Sequence, residues 1–127
     1  MFRGLNEAEK NLIVKVHNEF RQKVASGQET HGNQPGASNM MKLVWNDEIA
    51  ATAQRWADQC NDPFEHDKLR NKCDGRVGVG QNAAEIPFQK LKTRDQVYAN
   101  VESIVQAWYN EVTYAGGFPS SNIKPFK

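Results

Sequence analysis

The chain has 127 residues, sixteen basic against fifteen acidic for a formal charge of +1, with 39% hydrophobic and 24% charged residues. That length and composition suit one globular domain, and so even a charge balance excludes an electrostatic footprint for nucleic acid or an anionic membrane surface. The run Lys90, Lys92, Arg94 is too short to change this and reads as a solvated loop. No apolar stretch approaches the roughly eighteen residues that span a bilayer.

Residues 1–10 lack the apolar core of a signal peptide. Taken alone this favours a cytosolic chain, and it fits equally a mature piece whose leader is not included. From Asn6 to about Ser26 the sequence predicts a long amphipathic helix, with Leu12, Ile13, Val16, Phe20 and Val24 on one stripe. Asn6 and Glu9 suit a capping box, and Gly27 stops the helix. Residues 27–39, rich in Gly, Pro, Asn and Ser, predict an exposed loop.

A second helix is predicted from Asn46 towards Cys60, with Ile49, Ala53, Trp56 and Ala57 on its buried side and Asp47 and Glu48 at its positive end. Pro63 forbids continuation, so 61–74 reads as loop or short turns. Val77 and Val79 alternate with Arg76 and Gly78, a short strand signal entered through Asp74-Gly75. Thr93 with Gln96 opens a third helix whose apolar face is Val97, Val101, Ile104, Val105, Trp108 and Val112. Tyr114 to Ser121 reads as loop. The inventory leaves a lone strand whose backbone groups need partners, so either the strand reading is wrong or the pairing strands are missing from the chain.

The two cysteines, Cys60 and Cys73, stand outside any CxxC or Cys/His cluster, which argues against a zinc module or a thioredoxin-like site. They pair with each other, lie free, or pair elsewhere; spacing does not choose. No HExxH, no GxSxG and no nucleophile–base pattern occurs.

Several segments, in order, resemble the CAP superfamily of antigen 5, cysteine-rich secretory and plant pathogenesis-related proteins. They are His17-Asn18-Glu19-Phe20-Arg21 (an HNxxR pattern), Leu43-Val44-Trp45-Asn46-Asp47-Glu48-Ile49-Ala50, Ala53 to Cys60, Phe64-Glu65-His66-Asp67, Val79-Gly80-Gln81-Asn82 and Trp108-Tyr109-Asn110-Glu111-Val112. WADQC followed by FEHD, and glutamine in GQN, favour the insect antigen 5 branch of venom and salivary allergens. The resemblance covers roughly residues 5 to 120.

The resemblance implies an α+β fold, a three-layer α/β/α sandwich with an antiparallel sheet, of which residues 1–127 are a partial domain with three main helices and few strands. The family's GHYTQ and CNYxPxGN motifs do not occur, and the resemblance places them beyond Lys127, so the unpaired strand is expected to have lost its partners. It also implies that Cys60 and Cys73 are secretory disulfide cysteines whose partners lie outside the chain.

From the family's cleft, His66, Gln81 and Glu111 are carried over as cleft residues, with His66 and Glu111 as metal candidates for a zinc or magnesium ion in the longer protein. Gln81 departs from the pattern, because a neutral amide stands where the family has an acid, and the second cleft histidine is absent. His17, Asn18, Arg21, Gly80 and Asn82 are carried over as structural motif residues. His17 reads as a packed, hydrogen-bonded histidine, His31 as a loop residue at the surface, and Trp45, Trp56 and Trp108 as core.

The expected function is that of a secreted, extracellular, allergenic antigen 5-like protein, not an enzyme, requiring no cofactor. It would act as a monomer, without nucleic acid or a membrane span, by binding a small ligand or a host protein. The alternatives are a sterol or fatty-acid carrier and a metal-dependent hydrolase.

Overall fold

The computed structural model of the chain describes residues 3–69, 72–73, 75–86 and 92–113, with backbone alone at Asn33, Lys72, Cys73 and Val77. The elements in order are α1 (Glu7–Ala25), a 3-10 turn (His31–Asn33), α2 (Asp47–Ala57), β1 (Lys72–Cys73), β2 (Arg76–Val77), α3 (Arg94–Asn110) and a 3-10 turn (Glu111–Thr113). The predicted loop Tyr114–Ser121 and Lys90 of the basic run lie outside the described residues.

Both predicted capping boxes form. Asn6 Oδ1 accepts from the Glu9 amide at 2.8 Å, and Glu9 Oε2 accepts from the Asn6 amide at 2.8 Å. At α3, Thr93 Oγ1 accepts from the Gln96 amide at 3.2 Å and Gln96 Oε1 accepts from the Thr93 amide at 3.0 Å. Each box satisfies amides that the helix itself leaves orphaned. Helix α1 closes through Gly27 at φ 75°, with the Gln28 amide returning to the Lys23 carbonyl at 3.1 Å. The left-handed turn that this closure needs is one that glycine adopts without a Cβ clash.

The core lies between α1 and α3. Leu12, Val16, Val101 and Val105 are buried, flanked by Ile13, Phe20, Val97 and Trp108. Helix starts and helix ends meet: Glu9 pairs with Arg94 at one end, and Phe20 stacks on Tyr109 at the other with ring centroids 4.1 Å apart. The two helices therefore run in the same sense. Beyond them, Gly32 holds φ 66° in the first 3-10 turn, where a Cβ would meet the Val112 carbonyl oxygen at 2.6 Å. Only glycine lets that loop lie against the end of α3.

Helix α2 has its predicted cap, Asn46 Oδ1 accepting from the Ile49 amide at 2.9 Å. Its apolar side is another matter. No residue of α2 is buried: Ile49 and Trp56 are half-buried and Ala53 and Ala57 exposed. The predicted buried face thus lacks cover among the described residues. Trp45, Trp56 and Trp108 are likewise half-buried, not fully enclosed as core residues.

The strand prediction is corrected in its pairing. β2 has a local partner, pairing antiparallel with β1 in the register Lys72 to Val77 and Cys73 to Arg76, with Gly75 at φ 64° in the intervening turn. Two residues per strand are too few to carry a period-two pattern, so the partner was invisible in the hydrophobic alternation.

Candidate functional site

Residues before α2 are held by the HNxxR motif on α1. The Asn18 carboxamide reads both backbone groups of Leu43: its Nδ2 donates to the carbonyl at 3.0 Å and its Oδ1 accepts from the amide at 2.7 Å. Arg21 Nε donates to the Met41 carbonyl at 2.8 Å. The side chains thereby supply the hydrogen bonds that an extended segment would otherwise find on a neighbouring strand. His17 is tied within its helix, Nδ1 donating to the Ile13 carbonyl at 2.7 Å, with the Trp108 ring centroid 6.3 Å away.

Of the three cleft residues, His66 and Gln81 meet. His66 Nδ1 lies 2.7 Å from Gln81 Oε1, and the same oxygen accepts from the Asp67 amide at 3.0 Å. Phe64 packs edge-on to His66 at 6.1 Å. His66 is exposed and Gln81 half-buried. Glu111 stands exposed where α3 passes into its last turn; its amide caps the helix at the Trp108 and Tyr109 carbonyls, while its carboxylate has no hydrogen bond or ion pair among the described residues.

Two indoles position this pair. Trp56 Nε1 donates to the Glu65 carbonyl at 2.8 Å, tying the His66 segment to α2. Trp108 Nε1 donates to the Ala83 carbonyl at 3.2 Å, tying the Gln81 segment to α3. Sequence reading assigned both tryptophans to the core and missed the anchoring role. The available signal was their residue type, since a buried or half-buried indole needs an acceptor for its N–H.

The remaining motif residues divide. Asn82 lines a recess of about 230 Å³ together with His17, Phe20, Met40, Trp108 and Tyr109. Gly80 has open space where a side chain would begin. Cys60 carries a free, exposed thiol at φ 49°, and the Cys73 side chain lies outside the described residues. A second recess, about 340 Å³, is lined by Ile13, Leu43, Val44, Trp45, Ile49 and neighbouring residues.

The donor set fits a metal poorly. Gln81 Oε1 is already shared by two N–H donors, and no group of three His, Cys, Asp or Glu side chains among the described residues is placed to hold an ion. Protein metal sites usually need three or four such ligands.

A cluster of coupled charges lies at the far end of α1. Glu29 is buried and accepts from the Tyr109 hydroxyl, from the His31 amide at 2.9 Å and from His31 Nδ1 at 2.8 Å, with Lys23 Nζ at 3.4 Å. The Tyr109 hydrogen bond, then those from His31, hold its carboxyl down at about 2 against the opposing effect of burial, Lys23 adding less. Tyr109 is pushed up from the ordinary phenol value, first by burial and then by its bond to Glu29. His31, read as a surface loop residue, keeps an exposed side chain while serving this cluster.

This combination of motif and fold defines a class. The chain matches the model of the CAP, cysteine-rich secretory protein family over residues 14–118, and it belongs to that family. Among named relatives it is similar to Venom allergen 5 of Dolichovespula arenaria, 49% identical over 112 residues, covering 86% of this chain and 51% of that protein. It is also similar to Venom allergen 5 of Polybia scutellaris rioplatensis, 46% identical over 125 residues, covering 94% of this chain and 56% of the relative. The chain thus spans about half the length of the curated relatives it matches. No solved structure shows a significant match to it. Among the described residues no helix is long and apolar enough to cross a membrane.

Proposed function

We propose that this is a secreted antigen 5-type CAP protein that works by binding, not by catalysis, and is allergenic when introduced into a host. The observation that carries the reading is the composition of the His66 site: the imidazole Nδ1 is paired with a neutral carboxamide and not with a carboxylate, and no three-donor metal group occurs among the described residues. With an amide at Gln81, an acid–base mechanism built on a pair of cleft carboxylates loses one member. The similarity to venom allergens supports secretion and allergenicity. The reading requires no cofactor and has the protein acting as a monomer, in the incomplete three-layer arrangement expected of its family.

The test compares the protein with its His66→Asn variant on a fluorogenic peptide and an aryl ester, with and without zinc chloride. Equal background rates are expected. Turnover by the parent protein that the substitution abolishes would sink the non-enzymatic reading.

A second reading, carriage of a sterol or fatty acid, is favoured by the apolar lining of the 340 Å³ recess at Ile13, Val14, Leu43, Val44 and Ile49. Binding recesses for small molecules are typically of this size and apolar character. Trp45 stands in that lining, so a labelled fatty acid should co-elute with the protein on gel filtration and alter tryptophan emission. Elution of the label at its free position would count against carriage.

A further inference from the structure

The Asp67 amide decides how the Gln81 carboxamide is turned. A backbone N–H can only donate, so the atom 3.0 Å from it must be the oxygen and not the NH2 group. That oxygen is also the partner of His66 Nδ1 at 2.7 Å. An oxygen acceptor cannot donate in return, so the hydrogen of the neutral imidazole sits on Nδ1. In a neutral histidine the bond made by one ring nitrogen settles the state of the other.

We propose that Gln81 is a positioning residue that locks His66 in the Nδ1–H tautomer and thereby makes Nε2 the acceptor the site offers to a ligand. Among the described residues neither His66 Nε2 nor the Gln81 NH2 group has a hydrogen-bond partner. With Nδ1 turned to Gln81, the Nε2 lone pair of the exposed His66 ring points away from the carboxamide and is offered outward. A lone acceptor of this kind takes the hydrogen of a neutral hydroxyl or amide N–H. A cation would meet a single lone pair, since both acceptor directions of the Gln81 oxygen are engaged. The use of the lock rests on the binding reading above; its geometry does not.

The experiment is a long-range proton–nitrogen correlation spectrum of the full chain labelled with nitrogen-15 at histidine and glutamine, recorded at pH 9, where an ordinary imidazole is neutral. His66 is assigned by the signals lost in His66→Asn. In the parent protein Nδ1 should be the protonated nitrogen and Nε2 the bare one. Gln81→Met, which removes the acceptor at similar length, should give a mixed tautomer population. Gln81→Glu, which keeps an acceptor oxygen, should retain Nδ1–H and so separates loss of the hydrogen bond from loss of the fold. A protonated Nε2 in the parent protein or an unchanged pattern in Gln81→Met would each overturn the lock. All of these are read without an organic ligand, so a failed fatty-acid or host-protein titration counts against the binding reading alone.

Discussion

Arg94 Nη1 lies 2.9 Å from Glu9 Oε2, joining the first turns of α1 and α3 across 85 positions of sequence. The same carboxylate caps α1 through the Asn6 amide, and the same guanidinium donates to the Gly4 carbonyl at 3.0 Å. One buried acid thus sets the entry of the chain, the start of a helix and the register of its neighbour. Arg94→Leu leaves that carboxylate buried and without its cation, which destabilises proteins by about 3–5 kcal/mol for fully buried pairs. Because the Arg94 side chain is 34% exposed, the lower end, about 3 kcal/mol, is expected in urea unfolding. Glu9→Gln together with Arg94→Leu should recover part of the loss.

Acid stability should depend on Glu29. Its folded value of about 2 lies below the ordinary 4.5, so the unfolded chain binds the proton more readily. The stabilisation is present above about pH 4.5 and is lost as pH falls towards 2. Tyr109 has the opposite sign: its raised value means stabilisation present below the ordinary phenol value of 10.0 and lost as pH rises beyond it. Thermal melts of Glu29→Gln across this range should show a shallower fall on the acid side than the parent protein. Tyr109→Phe, which removes the largest cause of the Glu29 shift, should also flatten it.

The Asn18 clasp predicts a local effect. Each hydrogen bond contributes on the order of 1 kcal/mol, and Asn18→Leu removes both bonds to Leu43. The Leu43 amide should then exchange with deuterium roughly tenfold faster, on the same principle, with little change in the α1–α3 amides. Asn18→Asp keeps the acceptor for the Leu43 amide and loses the donor, so its exchange rate should fall between the two.

Trp56 makes a comparable prediction for the candidate site. Phe in its place keeps the ring and loses the N–H that holds the Glu65 carbonyl. Trp56→Phe should lower global stability by about 1 kcal/mol. It should also loosen the His66–Gln81 hydrogen bond, visible as broadening of the His66 ring signals.

Core and α2 should respond differently to truncation. Leu12→Ala opens a hole in the α1–α3 core and should cost about 2–5 kcal/mol. Ile49→Ala, on a helix with no buried residue, should cost under about 1 kcal/mol on the scale of weakly buried positions. Equal losses in denaturant melts would mean that α2 is as well covered as the other helices.

The sequence by itself determined the local structure. The capping residues Asn6, Asn46 and Thr93, the stop at Gly27 and the apolar stripe from Leu12 to Val24 all act within one or two turns, where chemistry and spacing suffice. The order of motifs was enough to indicate the family and to single out His66 and Gln81. Only tertiary structure decided what crosses the chain. It brought Asn18 to Leu43, Arg94 to Glu9 and Tyr109 to Glu29, and it gave the Trp56 and Trp108 indoles backbone acceptors in the two loops of the site. It brought His66 against Gln81 and not against Glu111, and it left the apolar side of α2 half-covered. The physical reason is common to all of these. A hydrogen bond between side chains 15 to 85 positions apart leaves no periodic trace in sequence, because nothing in the spacing of one partner depends on the other until the core between α1 and α3 has formed.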